Sequence, residues 1–230
     1  MEVQVVDAPG IDLPVIDVAV HTNVEANDSS VYLFLKRAID IIGALMGLIL
    51  LSPLFFAVAL AIKIEDPKGP VFFWQERNGQ WSKIFKMYKF RSMISNAEEL
   101  LHELQEKNEM SGPVFKIKED PRITKVGRFI RKTSLDELPQ LFNVLMGDMS
   151  LVGPRPPIPR EVAQYTPYQM QRLVVKPGLT CIWQVSGRSS IDFDQWVDMD
   201  IAYIKERNLM MDMKLIVKTI PALLGDENAA

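Results

Sequence analysis

The pattern of apolar and polar positions is uneven, and its longest apolar stretch, residues 41–62, carries no charged side chain over 22 positions. About 20 apolar residues are enough to cross the roughly 30 Å hydrocarbon core of a bilayer. Ser52-Pro53 interrupts the stretch, and a proline removes a backbone donor and clashes with the preceding turn, so no straight helix is expected there. The limbs on either side reach only about 18 Å and 15 Å at 1.5 Å per residue. The pattern predicts a re-entrant hairpin over residues 31–64, broken at Ser52 and Pro53, that dips into one leaflet and returns. Lys36 and Arg37 precede the stretch and Lys63 follows it, and basic flanks favour the cytoplasmic side at both ends. A kinked spanning helix and a buried core helix are the other readings of the same residues.

After the breaker-rich turn Asp66-Pro67-Lys68-Gly69-Pro70, residues 71–74 and 84–90 read as two short strands. Arg77-Asn78-Gly79-Gln80 would turn them into a hairpin. Residues 96–109 read as an exposed helix. From Pro121, Ile123, Val126, Phe129 and Ile130 recur at helical spacing beside Arg122, Lys125, Arg128 and Arg131. That is an amphipathic helix suited to the head-group layer, or equally an ordinary surface helix packed on a core. A helix from about Ser134 to Met146 ends at Gly147-Asp148, and Gly153-Pro154-Arg155-Pro156-Pro157 precludes regular structure. A polar helix is expected around residues 159–173, a strand over 180–185, and helix over most of 194–224. The last part of that helix, 215–224, is apolar enough to touch a membrane.

Charge and cysteine usage narrow the picture. The first 30 residues carry six acids and no bases, so they form an acidic arm, loosely packed, that is neither a secretory signal nor a transit peptide. Residues 31–132 carry 17 bases against 11 acids, next to the membrane segment, where anionic lipids or a phosphate substrate would be met. No nucleic-acid motif accompanies this charge, so nucleic acid is not an expected partner. The single cysteine, Cys181, excludes an internal disulfide framework and reads as packing. His21 and His102 show no metal-ligand spacing, which argues against zinc.

Asp136-Glu137 is the pair most able to carry chemistry. Its structural reading is a capping box with Ser134, with acids favoured in a helix's first turn. Its functional reading comes from its setting between basic residues, Arg128, Arg131 and Lys132, and a proline-stiffened loop carrying Arg155. Carboxylates hold Mg²⁺ together with substrate phosphates, and a carboxylate can also attack phosphorus. Arginine grips phosphate through a bidentate fork.

Three runs, Lys89-Phe90-Arg91-Ser92-Met93, residues 131–140 and residues 148–156, together with Lys176-Pro177-Gly178-Leu179-Thr180 and Trp183-Gln184-Val185-Ser186-Gly187-Arg188, closely resemble the bacterial sugar transferase family, the monotopic phosphoglycosyl transferases. The resemblance covers about residues 31–222. It implies an enzyme that moves a sugar phosphate from a UDP-sugar to undecaprenyl phosphate, starting exopolysaccharide, capsule or O-antigen repeats. Asp136 would be the nucleophile and a Mg²⁺ ligand, and Glu137 a base or positioning group. Arg131 and Arg155 would clamp phosphate, and Lys89 and Arg91 would contact substrate. Ser52-Pro53 matches the family's membrane break. The resemblance also implies a monotopic protein of the bacterial inner membrane, in contact with its lipids, with the active site facing the cytoplasm; a homodimer stays open. The short acidic arm suggests the minimal form of the family, and the extended tail weakly favours glucose or galactose. The expected fold class is α+β. Behind the arm (1–30) and the hairpin (31–64) comes a mostly helical catalytic domain with a small β element (65–224), then a tail (225–230).

Overall fold

The computed structural model describes residues 24–97, 99–100, 104, 117, 120–186 and 191–225. Most of the arm, most of the helix expected at 96–109, Gly187, Arg188, both histidines and residues 226–230 lie outside them.

The apolar stretch forms two helices, α1 (Ser30–Leu50) and α2 (Ser52–Glu65). Their axes bend by 59°, an open elbow and not a closed hairpin. Pro53 lies in the first turn of α2, where its missing N–H costs nothing, and the Ser52 hydroxyl donates to the Ile49 carbonyl at 2.8 Å. Among the described residues no single helix is long and apolar enough to cross a membrane; the bent pair together is, by length and composition.

Each limb packs on the protein. In α1 the buried residues are Tyr32, Lys36, Asp40 and Ala44, a stripe of spacing four that lies on one helical face. Gly47 lets Leu141 approach so closely that a Cβ there would come within 2.9 Å of it. Val58 and Ile62 of α2 bury against Phe90 and Ile130. The outer faces stay bare: Ile42, Leu45, Met46, Ile49, Leu50, Phe56, Leu60 and Ile64 are all exposed.

Strands β1 (Phe72–Asn78) and β2 (Ile84–Phe90) pair antiparallel from Phe72↔Phe90 to Asn78↔Ile84. The hairpin is as expected, but β1 extends through Arg77 and Asn78, which sequence reading had placed in the turn. The turn is instead a short 3-10 segment, Gln80–Ser82, with Trp81 and Ser82 at positive φ. Helix α3 (Lys125–Lys132) starts later than its pattern suggests, because Thr124 caps it by accepting from Gly127 N. Arg122 therefore falls outside the helix and its basic stripe, and is buried in a fork with Asp120. Phe129 also leaves the apolar stripe and faces outward at 61% exposure, while Ile130 is buried.

Helix α4 (Gln140–Met146) ends at Gly147, whose φ of +93° is the left-handed closing conformation. Strand β3 (Ser150–Val152) pairs in parallel with β4 (Gly178–Thr180). The strand expected over 180–185 keeps only Thr180. Trp183–Val185 is a 3-10 turn that sends Trp183 into the core, 4.5 Å from the ring of Trp196. The helix expected over 159–173 is likewise broken into α5 (Pro159–Val162), α6 (Pro167–Met170) and a 3-10 turn, Gln171–Val174. A proline opens each of the first two, and Thr166 caps the second. Nor is this segment polar: Val162, Met170, Leu173 and Val174 are core. Helices α7 (Phe193–Glu206) and α8 (Leu209–Gly225) fill the expected C-terminal region. Arg207, at their junction, donates to the Asn27 carbonyl at 3.2 Å and pairs with Asp28, so the last residues of the arm are anchored. Cys181 is buried among Trp183, Phe193 and Trp196, as packing.

Candidate functional site

Alternation along β2 places Phe85, Met87 and Lys89 on one face. The first two are buried, and the third reaches past them to the acidic pair. Asp136 and Glu137 lie on the 3-10 turn Leu135–Glu137, entered through Ser134 in the left-handed conformation (φ 54°). The capping box read from the sequence does not form, because Ser134 makes no side-chain cap there. The flanking Leu135 and Leu138 pack against the apolar cluster formed by Val58, Ile62, Phe90 and Ile130.

The ammonium of Lys89 stands 2.7 Å from Glu137 Oε1 and 3.5 Å from Asp136 Oδ2. Asp136 is buried and Glu137 half-buried. Burial pushes the Asp136 carboxyl above its ordinary range; Lys89 pulls it back, Glu137 adds to the rise, and Arg131 pulls it back less. Two adjacent carboxylates with a cation between them are hard oxygen donors of the kind that hold Mg²⁺ along with substrate oxygens. Among the described residues no group of three metal-ligating side chains exists.

Arg155 completes a cleft with Lys89, Glu137, Gln140, Leu179 and Gln184. Its backbone is held residue by residue. Asp40 accepts from the Leu151 amide (2.8 Å) and the Ser150 hydroxyl (3.0 Å), and Lys36 and Tyr203 donate to the Val152 carbonyl. Gly153 N reaches Thr180 O, and Gly178 N reaches Pro154 O. Arg172, paired with Asp200, donates to the Arg155 carbonyl at 3.4 Å, Arg77 to that of Pro156 at 2.9 Å, and Asn78 N to that of Pro157 at 2.9 Å. The Arg155 guanidinium lies 5.8 Å from the Trp196 ring.

Lys89, Glu137 and Arg155 thus line one cleft, while Asp136 is buried beside Lys89 and is not itself a lining residue. Arg131 stands half-buried at the end of α3, acting on Asp136 through its charge. Arg91 is placed elsewhere: its guanidinium pairs with Asp66, donates to the Asp66 carbonyl at 3.1 Å, and is covered by Gly69. It does not line the cleft. Sequence reasoning assigned no role to Gln140 and Gln184, which line the cleft, or to Arg77 and Arg172 behind it. Gln140 was findable, since it falls three residues after Glu137 on a helical path.

The site thus sets a lysine between a buried and a half-buried carboxylate, beside a cleft that also holds an arginine. The chain belongs to the bacterial sugar transferase family, whose model matches residues 31–226. It is 48% identical over 194 residues to the galactosyl transferase CpsE of Streptococcus agalactiae, covering 84% of this chain and 43% of that protein. It is 47% identical over 200 residues to the undecaprenyl-phosphate galactose phosphotransferase of Salmonella typhimurium, covering 85% and 42%. The exopolysaccharide production protein ExoY of Rhizobium meliloti is 40% identical over 192 residues, covering 82% and 84%. The matched region thus spans less than half of the first two proteins and most of the third.

Proposed function

We propose that the chain transfers a hexose 1-phosphate from a UDP-sugar to undecaprenyl phosphate at the cytoplasmic face of the bacterial inner membrane, initiating a polysaccharide repeat. The observation that carries this is the ammonium of Lys89 held between Asp136 and Glu137 in a cleft closed by Arg155. A carboxylate oxygen of Asp136 attacks the β-phosphorus, an O–P bond forms, and the bond to the α-phosphate breaks to release UMP. A phosphate oxygen of the lipid then attacks the aspartyl phosphosugar, forming the diphosphate and freeing the carboxylate. Lys89 keeps Asp136 ionised against burial, and Glu137 positions Lys89 and the acceptor. Arg155, on its rigid loop, grips the donor phosphate, with Arg131 adding positive field. Asp136 would be the residue to hold a Mg²⁺ ion, which would supply charge neutralisation.

The elbow supports a re-entrant, monotopic seating. Its bare apolar faces adjoin exposed Phe142 and Met146 of α4, and α8 presents Met210, Met213, Val217 and Ile220, a stripe suited to the interface. Covalent transfer also spares the site from holding two anionic substrates together.

The test is UMP release from a panel of UDP-sugars with Mg²⁺, with and without undecaprenyl phosphate. Sustained release with one sugar, only when lipid is present, is expected. Turnover that is independent of the lipid would instead identify a hydrolase, and no release from any UDP-sugar would refute the reading.

A further inference from the structure

Six cationic side chains are buried among the described residues, and five have a carboxylate beside them. Lys36 has Asp212 at 2.9 Å, Arg122 has Asp120 at 2.6 Å and Arg172 has Asp200 at 2.8 Å; Arg91 pairs with Asp66 and Arg207 with Asp28. Arg77, only 7% exposed, is the sixth. It donates to the Pro156 carbonyl at 2.9 Å and to Gln75 Oε1 at 2.8 Å, both neutral, and its buried Nε has no acceptor. Leaving a buried charge without an opposite partner is expensive. Burial, and then the neighbouring Arg155 charge, pull Arg77 down to about 9, opposed by the charges of Glu161 and Glu137. Glu161 is otherwise engaged, accepting from the Ile158 amide at 3.1 Å.

This cation, with no carboxylate beside it, holds the carbonyl of Pro156, which lines the cleft next to Arg155. We propose that Arg77 is a second guanidinium of the donor site, whose uncompensated charge is balanced only when the diphosphate of a nucleoside diphosphate sugar occupies the cleft. It acts through the cleft's potential and through the Pro156 carbonyl, so it is a positioning residue. The inference rests on the proposed function and adds a residue that the cleft's lining does not reveal.

The test measures UDP binding and steady-state transfer on the full chain in lipid nanodiscs. Arg77→Gln is expected to weaken UDP binding on the order of tenfold. The KM for the UDP-sugar should rise with it while kcat changes little. The melting temperature should change little, because relief of the unpaired buried charge offsets loss of the Pro156 hydrogen bond. A purely structural arginine would instead lower stability and kcat together. Arg77→Lys, which keeps the charge, should retain most of the affinity. Should Arg77→Gln not fold, Glu161→Gln decides: removing that opposing charge should tighten UDP binding, and an unchanged or weaker affinity overturns the proposal. So does an Arg77→Gln chain that binds UDP as the wild type does, or an Arg77→Lys chain that loses as much as Arg77→Gln. Wild-type chain that neither binds UDP nor releases UMP from any UDP-sugar overturns the proposed function as well, whereas wild-type activity indifferent to position 77 overturns this inference alone.

Discussion

Replacing Lys89 by Met removes the ammonium set between the two carboxylates and leaves a side chain of similar length. Two unit charges about 4 Å apart interact by about 4 kcal/mol at an effective dielectric near 20. The Lys89–Asp136 separation is 3.5 Å, with side-chain exposures of 20% and 8%, so bulk water screens little of this. Losing this attraction raises the proton affinity of Asp136, so its ionised share at neutral pH falls. The sign follows from the direction of the shift. Burial already pushes this carboxyl up, and Lys89 is the largest influence pulling it back; without the cation it rises further. A nucleophilic carboxylate must be ionised, so transfer should collapse at neutral pH and recover as the pH is raised. The assay is UMP release at saturating substrates across neutral to alkaline pH for wild type and Lys89→Met. A uniform loss at every pH would refute the reasoning, since it would mean that Lys89 grips substrate and does not set the charge of Asp136.

Asp136→Asn should abolish transfer and the covalent phosphosugar seen by intact-protein mass spectrometry, with membrane association unchanged; full-rate transfer would end the covalent scheme. Pro53→Ala restores an N–H able to bond the Ile49 carbonyl that now accepts from Ser52, so the elbow should straighten toward a spanning helix. Protease protection would show the chain's N-terminal end on the far side, and an end that stays cytoplasmic counts against it. Gly147→Ala forces a Cβ into a φ of +93° and should cost about 1 kcal/mol, read as a lower melting temperature with kcat retained; no change would mean that the helix end relaxes freely.

What was legible in the sequence was what local chemistry dictates. The break at Ser52-Pro53, the β1–β2 hairpin and the end of α4 at Gly147 each follow from a proline, an alternating run or a glycine. Motif order placed Lys89, Asp136, Glu137 and Arg155 near one another in expectation, and the fold sets Lys89, Glu137 and Arg155 along one cleft with Asp136 buried beside Lys89. What failed was long-range. Nothing local says that Arg91 will turn to Asp66, 25 positions away, while Lys89, two residues earlier, enters the cleft. Residues 180–185 have the composition of a strand, yet Trp183 finds Trp196 and the chain turns inward. Arg77 read as a turn residue because Asn78-Gly79 follows it, and its burial depends on Pro156, 79 positions on.

The distribution of buried charge explains how so small a β element can hold a site. Strands β3 and β4 have three residues each, too few for a ladder alone to fix the loop that carries Arg155. The fold compensates with side chains: Asp40 and Lys36 from α1, Tyr203 from α7, Arg172 from the 171–174 turn and Arg77 from β1 each hold a neighbouring backbone or hydroxyl group along 150–156. Buried ion pairs such as Lys36–Asp212 and Arg172–Asp200 add little net stability compared with apolar packing, because desolvation offsets the attraction. Their value here is register. Two of these grips come from α1, and the leucines that flank the acids pack against the cluster of Val58, Ile62, Phe90 and Ile130. Helix α1 thus helps to fix the loop of Arg155 from one side, while the turn that carries Asp136 rests on α3, β2 and the apolar cluster that α2 joins.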